Sequence, residues 1–267
     1  MGLVTFHLVS DVHLEFDDTF RISSPSGPGL HVCLLAGDIG HPTRPHYGEF
    51  LRDTKSKFDH VVVVAGNHEY YSKKKGGHHA KVEEVLEAAR QSAVSAGCVF
   101  LERESYVIPL DELKVTILGA TLWSHIDPKD FDAAKQGLND FKRIYHGNGK
   151  FWTPGTYNNW HRRDVEWLER EIDDRRDEIL VVMTHHCPTI RVIDPVYHDH
   201  PLNSCFVTDL ERLFSENVKL WACGHSHKRG IAKVNGSLCA LNPRGYPGEN
   251  GKFSEMRFSL SETGEMI

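Results

Sequence analysis

Five short apolar segments of this chain end in side chains that can bind metal ions, and this ordered series constrains the fold most. The segment ends are Val9-Ser10-Asp11-Val12-His13, Ala36-Gly37-Asp38, Ala65-Gly66-Asn67-His68-Glu69, Met183-Thr184-His185-His186 and Cys223-Gly224-His225-Ser226-His227. In an α/β sheet the carboxyl ends of the strands gather along one edge, which is where ligand sites form. Residues far apart in the sequence are therefore expected to converge on one site.

The apolar segments predict the strands of an α/β fold. Runs rich in branched residues, typical of buried strands, occur at Leu3–Val9, Val32–Ala36, Val61–Ala65, Val115–Ala120, Ile179–Met183, Leu220–Cys223 and Ser237–Leu241. Helical patterns at Ala80–Ala96 and Asp164–Asp174 lie between them. The segment Gly230–Leu260 has strand-like runs and no helix, which predicts an antiparallel section and a second sheet packed on the first. The expected fold is a two-sheet β-sandwich flanked by helices on both sides.

The composition is that of an ordinary globular chain and indicates neither a membrane nor a nucleic-acid partner. The 267 residues carry a net charge of -6, so nucleic acid and anionic membranes are not strongly attracted. The chain contains no run of about 18 apolar residues that would span a membrane. Its first ten residues lack the features of a signal peptide and are interpreted as the first core strand. We expect a single domain over residues 1–267.

The six cysteines are scattered along the chain and form no CxxC pair. Three of them lie in apolar, strand-like segments, where a free thiol packs as a small hydrophobic side chain. Together with the missing signal peptide, this pattern favours a reducing cytoplasmic location over a disulfide framework.

Residues 124–163 differ in composition from the rest of the chain. The segment is polar and aromatic, contains Trp152, Tyr157 and Trp160, and lacks a long core run. It is either a cap over a site or a structured surface excursion, and we favour the cap.

The spacing and chemistry of the candidate ligands indicate a pair of metal ions. In extended backbone, residues two apart point to the same side, so Asp11 with His13 and His225 with His227 can each face one ion pair. A mixed set of oxygen and imidazole ligands suits manganese, iron or zinc better than magnesium or calcium. Because a carboxylate can bridge two cations, Asp38 is the natural shared ligand.

Taken together, the blocks D-x-H, GD, GNH(E), a histidine after an apolar strand, and GHxH resemble the signature of the calcineurin-like metallophosphoesterase superfamily. All five occur in order from Asp11 to His227. The resemblance implies an α/β/β/α fold and two divalent metal ions. It places the first ion on Asp11, His13, Asp38 and His227, and the second on Asp38, Asn67, His185 and His225. It also implies hydrolysis of a phosphate ester by attack of a metal-bound hydroxide.

In this family the histidine equivalent to His68 binds no metal. The resemblance implies that it faces the substrate phosphate and protonates the leaving oxygen, a step worth roughly 10²–10⁴ in rate. For the fourth block the choice of ligand is open between His185 and His186. Family analogy selects His185, which leaves His186 either to contact substrate or to hold the loop.

Three other segments have weaker functional interpretations. Arg244, in the turn-rich segment Asn242–Gly248, is a candidate to bind a phosphate oxygen, although a rigid loop explains the same residues. Residues Asn139–Arg143 could reach the site from a cap, but a solvated surface is favoured. The run Lys73–His79 is interpreted as a solvated loop and is assigned no role.

The sequence departs from the patterns of two subfamilies, and these departures narrow the range of expected substrates. No tyrosine follows Asp38 closely, as it would in purple acid phosphatases, and the VDRG portion of protein phosphatases is missing after the GD block. We expect a small phosphate ester, nucleotides included, with a slight preference for diesters. Two alternatives are a catalytically silent scaffold, which would typically lack the catalytic histidine or several ligands, and a zinc hydrolase that cleaves a non-phosphate bond.

Overall fold

The computed structural model describes residues 2–72, 79–110, 113–146 and 150–267. Most of the lysine-rich run Lys73–His79 therefore lies outside the described residues, as do three residues of the segment 124–163. No helix among the described residues is long and apolar enough to cross a membrane.

Five strands form the first sheet. They are β1 (Gly2–Val9), β2 (Leu30–Ala36), β3 (His60–Val64), β4 (Val99–Leu101) and β11 (Arg257–Ser261), in the order β11-β1-β2-β3-β4. The pairs from β1 to β4 are parallel, and β11 joins β1 in the antiparallel direction. Buried strands such as β2 and β3 consist of nearly continuous apolar residues, as expected where both faces of a parallel sheet are covered.

Six strands form the second sheet. They are β5 (Glu104–Ile108), β6 (Val115–Ala120), β7 (Ile179–Thr184), β8 (Val218–Cys223), β9 (Gly230–Val234) and β10 (Ser237–Leu241), in the order β5-β6-β7-β8-β10-β9. The central pairs are parallel, and the edge strands β5 and β9 are antiparallel to their neighbours. The two sheets pack face to face through buried side chains of both, including Phe6, Leu34, Val62, Ile117, Val181 and Leu220.

Helices cover the outer faces of the two sheets. They are α1 (Pro45–Lys55), α2 (Val82–Ser95), α3 (Phe131–Gly137), α4 (Asp140–Arg143) and α5 (Pro154–Asp174). Helices α1 and α2 bury Phe50 and Ala89 against the first sheet, and α5 buries Leu168 against the second. The result is the predicted layering of helices, sheet, sheet and helices.

The predicted strands all form, with bounds that differ by at most two residues. Helix α5 begins ten residues before the predicted start at Asp164, because Thr153 caps its N-terminus and Pro154 occupies the first turn. The last part of the chain does not build a sheet of its own. Strands β9 and β10 complete the second sheet, whereas β11 extends the first.

Candidate metal centre and active site

The predicted ligands follow the carboxyl ends of five strands, as the sequence indicates. They are Asp11 and His13 after β1, Asp38 after β2, Asn67 after β3, His185 after β7, and His225 and His227 after β8. Six of these seven are buried, and His227 retains 14% side-chain exposure. Burial of polar groups is costly unless they have partners, and the clusters that these residues form could hold metal ions.

One cluster consists of Asp11, His13 and His227, whose potential ligand atoms all lie within 4.8 Å of one another. The Nε2 atoms of His13 and His227 are 3.0 Å apart, and Oδ1 of Asp11 lies 3.4 Å from Nε2 of His227. Neighbouring ligands that each lie about 2.1 Å from one ion are separated by about 3 Å, so these atoms suit a shared cation.

A second cluster consists of Asp38, His185 and His225, whose potential ligand atoms also lie within 4.8 Å of one another. Nε2 of His185 lies 3.4 Å from Oδ2 of Asp38 and 3.2 Å from Oδ1 of Asn67. Nδ1 of His185 is 2.9 Å from the carbonyl oxygen of Ala36, a contact that directs Nε2 towards the cluster. One ring nitrogen of His225, Nε2, is buried without a hydrogen-bond partner.

Asp38 lies between the two clusters. Its Oδ2 is 3.4 Å from Nε2 of His185 and 3.8 Å from Nε2 of His13, while its Oδ1 accepts a hydrogen bond from the backbone N–H of His68 at 2.8 Å. Burial alone would raise the pKa of Asp38, but the imidazoles of His185 and His68 outweigh it and hold the pKa well below its usual value. The side chain is therefore ionised at the point where a bridging carboxylate is needed.

The backbone of the ligand loops differs from the extended conformation expected from the spacing. Asp11, His13, Asp38, His225 and His227 all have positive φ, at 51°, 53°, 54°, 70° and 51°. The assumption that each pair lies on an extended strand is therefore wrong, because both pairs lie beyond their strand ends. Non-glycine residues rarely adopt this conformation, and such residues collect at functional sites where surrounding contacts impose it.

Glu69, the last residue of the GNHE block, fixes two of these loops. Its carboxylate is 1% exposed and accepts hydrogen bonds from the backbone N–H groups of Asp38, Ile39, Gly40 and Gly66 at 2.9, 2.7, 3.1 and 2.7 Å. Burial and the charge of Asp38 raise the pKa of Glu69 to about 8, and the bonds from Gly40 and Gly66 oppose that rise. Glu69 therefore positions Asp38 through the backbone of that residue. It makes no hydrogen bond with the imidazoles of the two clusters described above.

We expect Glu69→Ala to lower the free energy of unfolding by about 3 kcal/mol or more, since each buried donor without a partner costs about 1–3 kcal/mol. Chemical denaturation measures this change. Glu83→Ala is the matched control, because Glu83 lies exposed on α2. A loss of stability for Glu69→Ala no greater than for the control would contradict the assigned role.

Asn67 is oriented by a buried pair that the sequence does not reveal. Its Nδ2 donates to Oδ1 of Asp140 at 2.9 Å and contacts the hydroxyl of Tyr71 at 3.0 Å, and that hydroxyl donates to Asp140 at 2.6 Å. The amide oxygen of Asn67 therefore faces His185. Solvation was favoured for residues Asn139–Arg143, and this is wrong for Asp140, which is 1% exposed.

His68 lies at the edge of the clusters and lines a cavity of about 360 Å³ together with Asp38, Asn67 and Tyr246. Its Nδ1 lies 2.8 Å from Oε1 of Glu15, and the same oxygen is 3.0 Å from Nδ1 of His13. Burial opposes protonation of His68, but Asp38 and Glu15 outweigh it and raise the pKa of the imidazole. Glu15 was not a predicted site residue, and its only sequence signal is its place two residues after His13.

The carboxyl group of Glu15 lies between the imidazoles of His13 and His68 and is ionised there. Burial alone would raise its pKa, but hydrogen bonds from His13 and His68 outweigh this and lower the pKa to about 2. The ionised carboxylate thus fixes the ring of His68 through Nδ1 and leaves Nε2 available, 3.4 Å from the hydroxyl of Tyr246.

His186 does not reach the cavity. It is fully buried, its Nε2 lies 2.8 Å from the hydroxyl of Tyr157, and its ring packs on His225 with the centroids 4.1 Å apart. Of the two alternatives for His186, this geometry favours the one in which it holds the loop over the one in which it contacts substrate.

Arg244 is also directed away from the cavity. Its guanidinium donates to the carbonyl oxygen of Val12 at 3.0 Å, forms an ion pair with Asp17 and lies over the ring of Phe20 at 4.7 Å. These contacts do not favour the predicted binding of a phosphate oxygen by Arg244, which is not among the residues that line the cavity. Its backbone N–H donates to Ser10 at 2.9 Å, so this loop braces the segment that carries Asp11.

The sandwich fold carries clustered carboxylates and imidazoles at its strand ends, and these clusters could hold metal ions. The family model described as calcineurin-like phosphoesterase matches residues 4–229, and the chain belongs to that family. It is accordingly a metal-dependent phosphoester hydrolase, whose family membership implies divalent metal ions.

Three proteins to which the chain is similar share less than a quarter of their residues with it. Protein L509 of Acanthamoeba polyphaga mimivirus, described as uncharacterised, is 24% identical over 92% of both chains. A phosphopantetheinyl hydrolase from Mycobacterium tuberculosis is 17% identical, with a TM-score of 0.74 over 92% of both chains. A dimetal phosphatase from Danio rerio is 15% identical, with a TM-score of 0.53 over 98% of this chain and 94% of its own. The likeness to the solved structures shows the common fold.

Proposed function

We propose that the two clusters bind two divalent cations and that the protein hydrolyses small phosphate esters at this dinuclear centre. Asp11, His13, Asp38 and His227 would hold one ion, and Asp38, Asn67, His185 and His225 the other. The observation that carries this proposal is the position of the Asp38 carboxylate, which lies within 3.8 Å of an imidazole nitrogen from each cluster. Mixed oxygen and nitrogen donors favour manganese, iron or zinc.

Two bound cations would supply a water of lowered pKa and would neutralise charge on the phosphoryl oxygens. The protein's own residues provide the rest of the chemistry. His68 offers a proton at Nε2 to the leaving oxygen, and Glu15 keeps the imidazole protonated at Nδ1 and correctly oriented. Glu69 and Asp140 hold Asp38 and Asn67 in place, so that little reorganisation is needed when substrate binds.

The proposed substrate is a small phosphate ester, nucleotides included, and we prefer a diester over a monoester. The cavity of about 360 Å³ at the clusters is in the range of a small-molecule site. Part of the segment 124–163 lines it, since Leu138, Asn139 and Asp140 form one wall. This placement supports a cap role within a single domain 1–267.

The six free and buried cysteines agree with the predicted cytoplasmic location.

Hydrolysis by chelator-stripped protein tests this function. We expect no activity until manganese, zinc or iron is added back, and then faster cleavage of bis(p-nitrophenyl) phosphate than of p-nitrophenyl phosphate. Faster cleavage of the monoester would reverse the diester preference. Failure to cleave either ester with any metal would count against hydrolysis and favour a scaffold.

A further inference from the structure

A second cavity, of about 490 Å³, adjoins the cavity at the metal clusters, because His68 and Tyr71 line both. Its other walls include Arg44, Arg143 and His46, so we call this cavity the basic groove. Two guanidinium groups beside the proposed catalytic histidine are not required to bind the metal ions. Their position therefore points to a role in binding substrate.

The two arginines of the basic groove have no carboxylate partner among the described residues. Arg143 is exposed and lies over the ring of Tyr71 at 5.6 Å, which orients the side chain and leaves its N–H groups available. Arg44 is the exposed N-cap residue of α1, whose first turn contains no acidic residue. A cation at the positive end of a helix is electrostatically unfavourable unless an anion is also present.

The acidic groups near the basic groove do not balance these charges. Glu15 lines the groove, but its carboxylate is bound by His13 and His68. Asp18 is 60% exposed and lies 3.9 Å from Nδ1 of His46. Nε2 of His46 is buried and has no hydrogen-bond partner, so the imidazole adds no carboxylate partner for the two arginines. Among the described residues, the guanidinium groups of Arg44 and Arg143 therefore have no carboxylate that balances their charge.

We propose that the basic groove binds a second phosphate of the substrate, so that the physiological substrate carries another phosphate besides the one at the metal centre. The planar guanidinium groups of Arg44 and Arg143 match the geometry of phosphate oxygens. This proposal rests on the proposed hydrolysis of phosphate esters and specifies its substrate class. His68, shared by both cavities, would then lie between the two phosphates.

Two chromogenic esters that differ only in a second phosphate test the proposal. They are thymidine 5′-(p-nitrophenyl phosphate) and the same compound with a 3′-phosphate. We expect the wild-type KM to be at least about tenfold lower for the 3′-phosphorylated ester, since a phosphate gains charge-assisted hydrogen bonds in the groove. The double variant Arg44→Gln and Arg143→Gln should remove this difference and leave turnover of bis(p-nitrophenyl) phosphate within about twofold of wild type.

Arg52→Gln is the matched control, because Arg52 is an exposed arginine of the same helix that does not line the groove. It should retain the preference for the second phosphate. Equal KM values for the two esters in wild-type protein would overturn the proposal, as would a preference that survives in the double variant.

Binding of thymidine 3′,5′-bisphosphate, measured by calorimetry, separates this proposal from the hydrolytic function. Binding that depends on Arg44 and Arg143 in a protein that hydrolyses no ester would reject the proposed function and retain the groove. The opposite result is also possible: the protein hydrolyses bis(p-nitrophenyl) phosphate with metal, and the double variant binds the bisphosphate as wild type does. That result would retain the proposed hydrolytic function and reject the phosphate-binding role of the groove.

Discussion

Asp38→Ala should remove both metal ions and reduce hydrolysis to the level of chelator-stripped protein. The Asp38 carboxylate faces both clusters, and it also accepts the backbone N–H of His68 at 2.8 Å. Loss of an outer-sphere partner of a metal ligand already costs about 10–100-fold in affinity, so loss of a shared ligand should cost more than about 100-fold. Metal analysis after gel filtration, together with the rate on bis(p-nitrophenyl) phosphate, measures both effects.

Two further variants keep the Asp38 prediction specific. Asp173→Ala alters an exposed carboxylate of α5 and should retain two metal ions per chain. Asp38→Asn keeps the size of the side chain and an acceptor for His68, so it should fold normally while it still loses metal. If Asp38→Ala retained two ions per chain, Asp38 would not be the bridging ligand.

His68→Ala should leave the metal content unchanged and lower kcat by about 10²–10⁴-fold for esters with an alkoxide leaving group. An alkoxide needs a proton when it departs, and the imidazole held by Glu15 is placed to donate one. A nitrophenolate departs readily without a proton, so the same variant should lose much less activity on p-nitrophenyl esters. Steady-state rates on an alkyl and a nitrophenyl diester of the same phosphate make this comparison.

His125→Ala serves as the control for His68, since His125 is exposed and does not line the cavity at the clusters. It should behave as wild type on both esters. Loss of metal from His68→Ala would instead make His68 a ligand. An equal loss of rate on the alkyl and nitrophenyl esters would assign His68 to binding of the phosphate and not to proton transfer.

The sequence was sufficient to predict the sandwich fold and the convergence of the candidate ligands. Both rest on local patterns, because each ligand block immediately follows an apolar strand and parallel strands place their carboxyl ends on one edge. Asp11 and His225, 214 residues apart, meet in this way, and the backbone N–H of His225 donates to Asp11 at 2.9 Å. Strand order and the exact backbone conformation were not needed for that inference.

The supporting contacts could not be predicted, since they depend on loop conformation. Asp140 reaches Asn67 across 73 residues of sequence, and its short helix carries no pattern that separates a buried carboxylate from a solvated one. Arg244 was assigned to phosphate because arginine suits that ligand, but residue type does not reveal that Asp17 already binds it. The left-handed backbone at Asp11 and His13 likewise has no sequence signal, since neither residue is a glycine.

Anomalous diffraction at the manganese edge tests the dinuclear centre most directly. The measurement uses crystals of the protein grown with manganese. We predict two anomalous peaks about 3.5–4 Å apart. One should lie beside Asp11, His13 and His227 and the other beside Asn67, His185 and His225, with the carboxylate of Asp38 between them. A single peak, or two peaks that do not flank Asp38, would contradict the account.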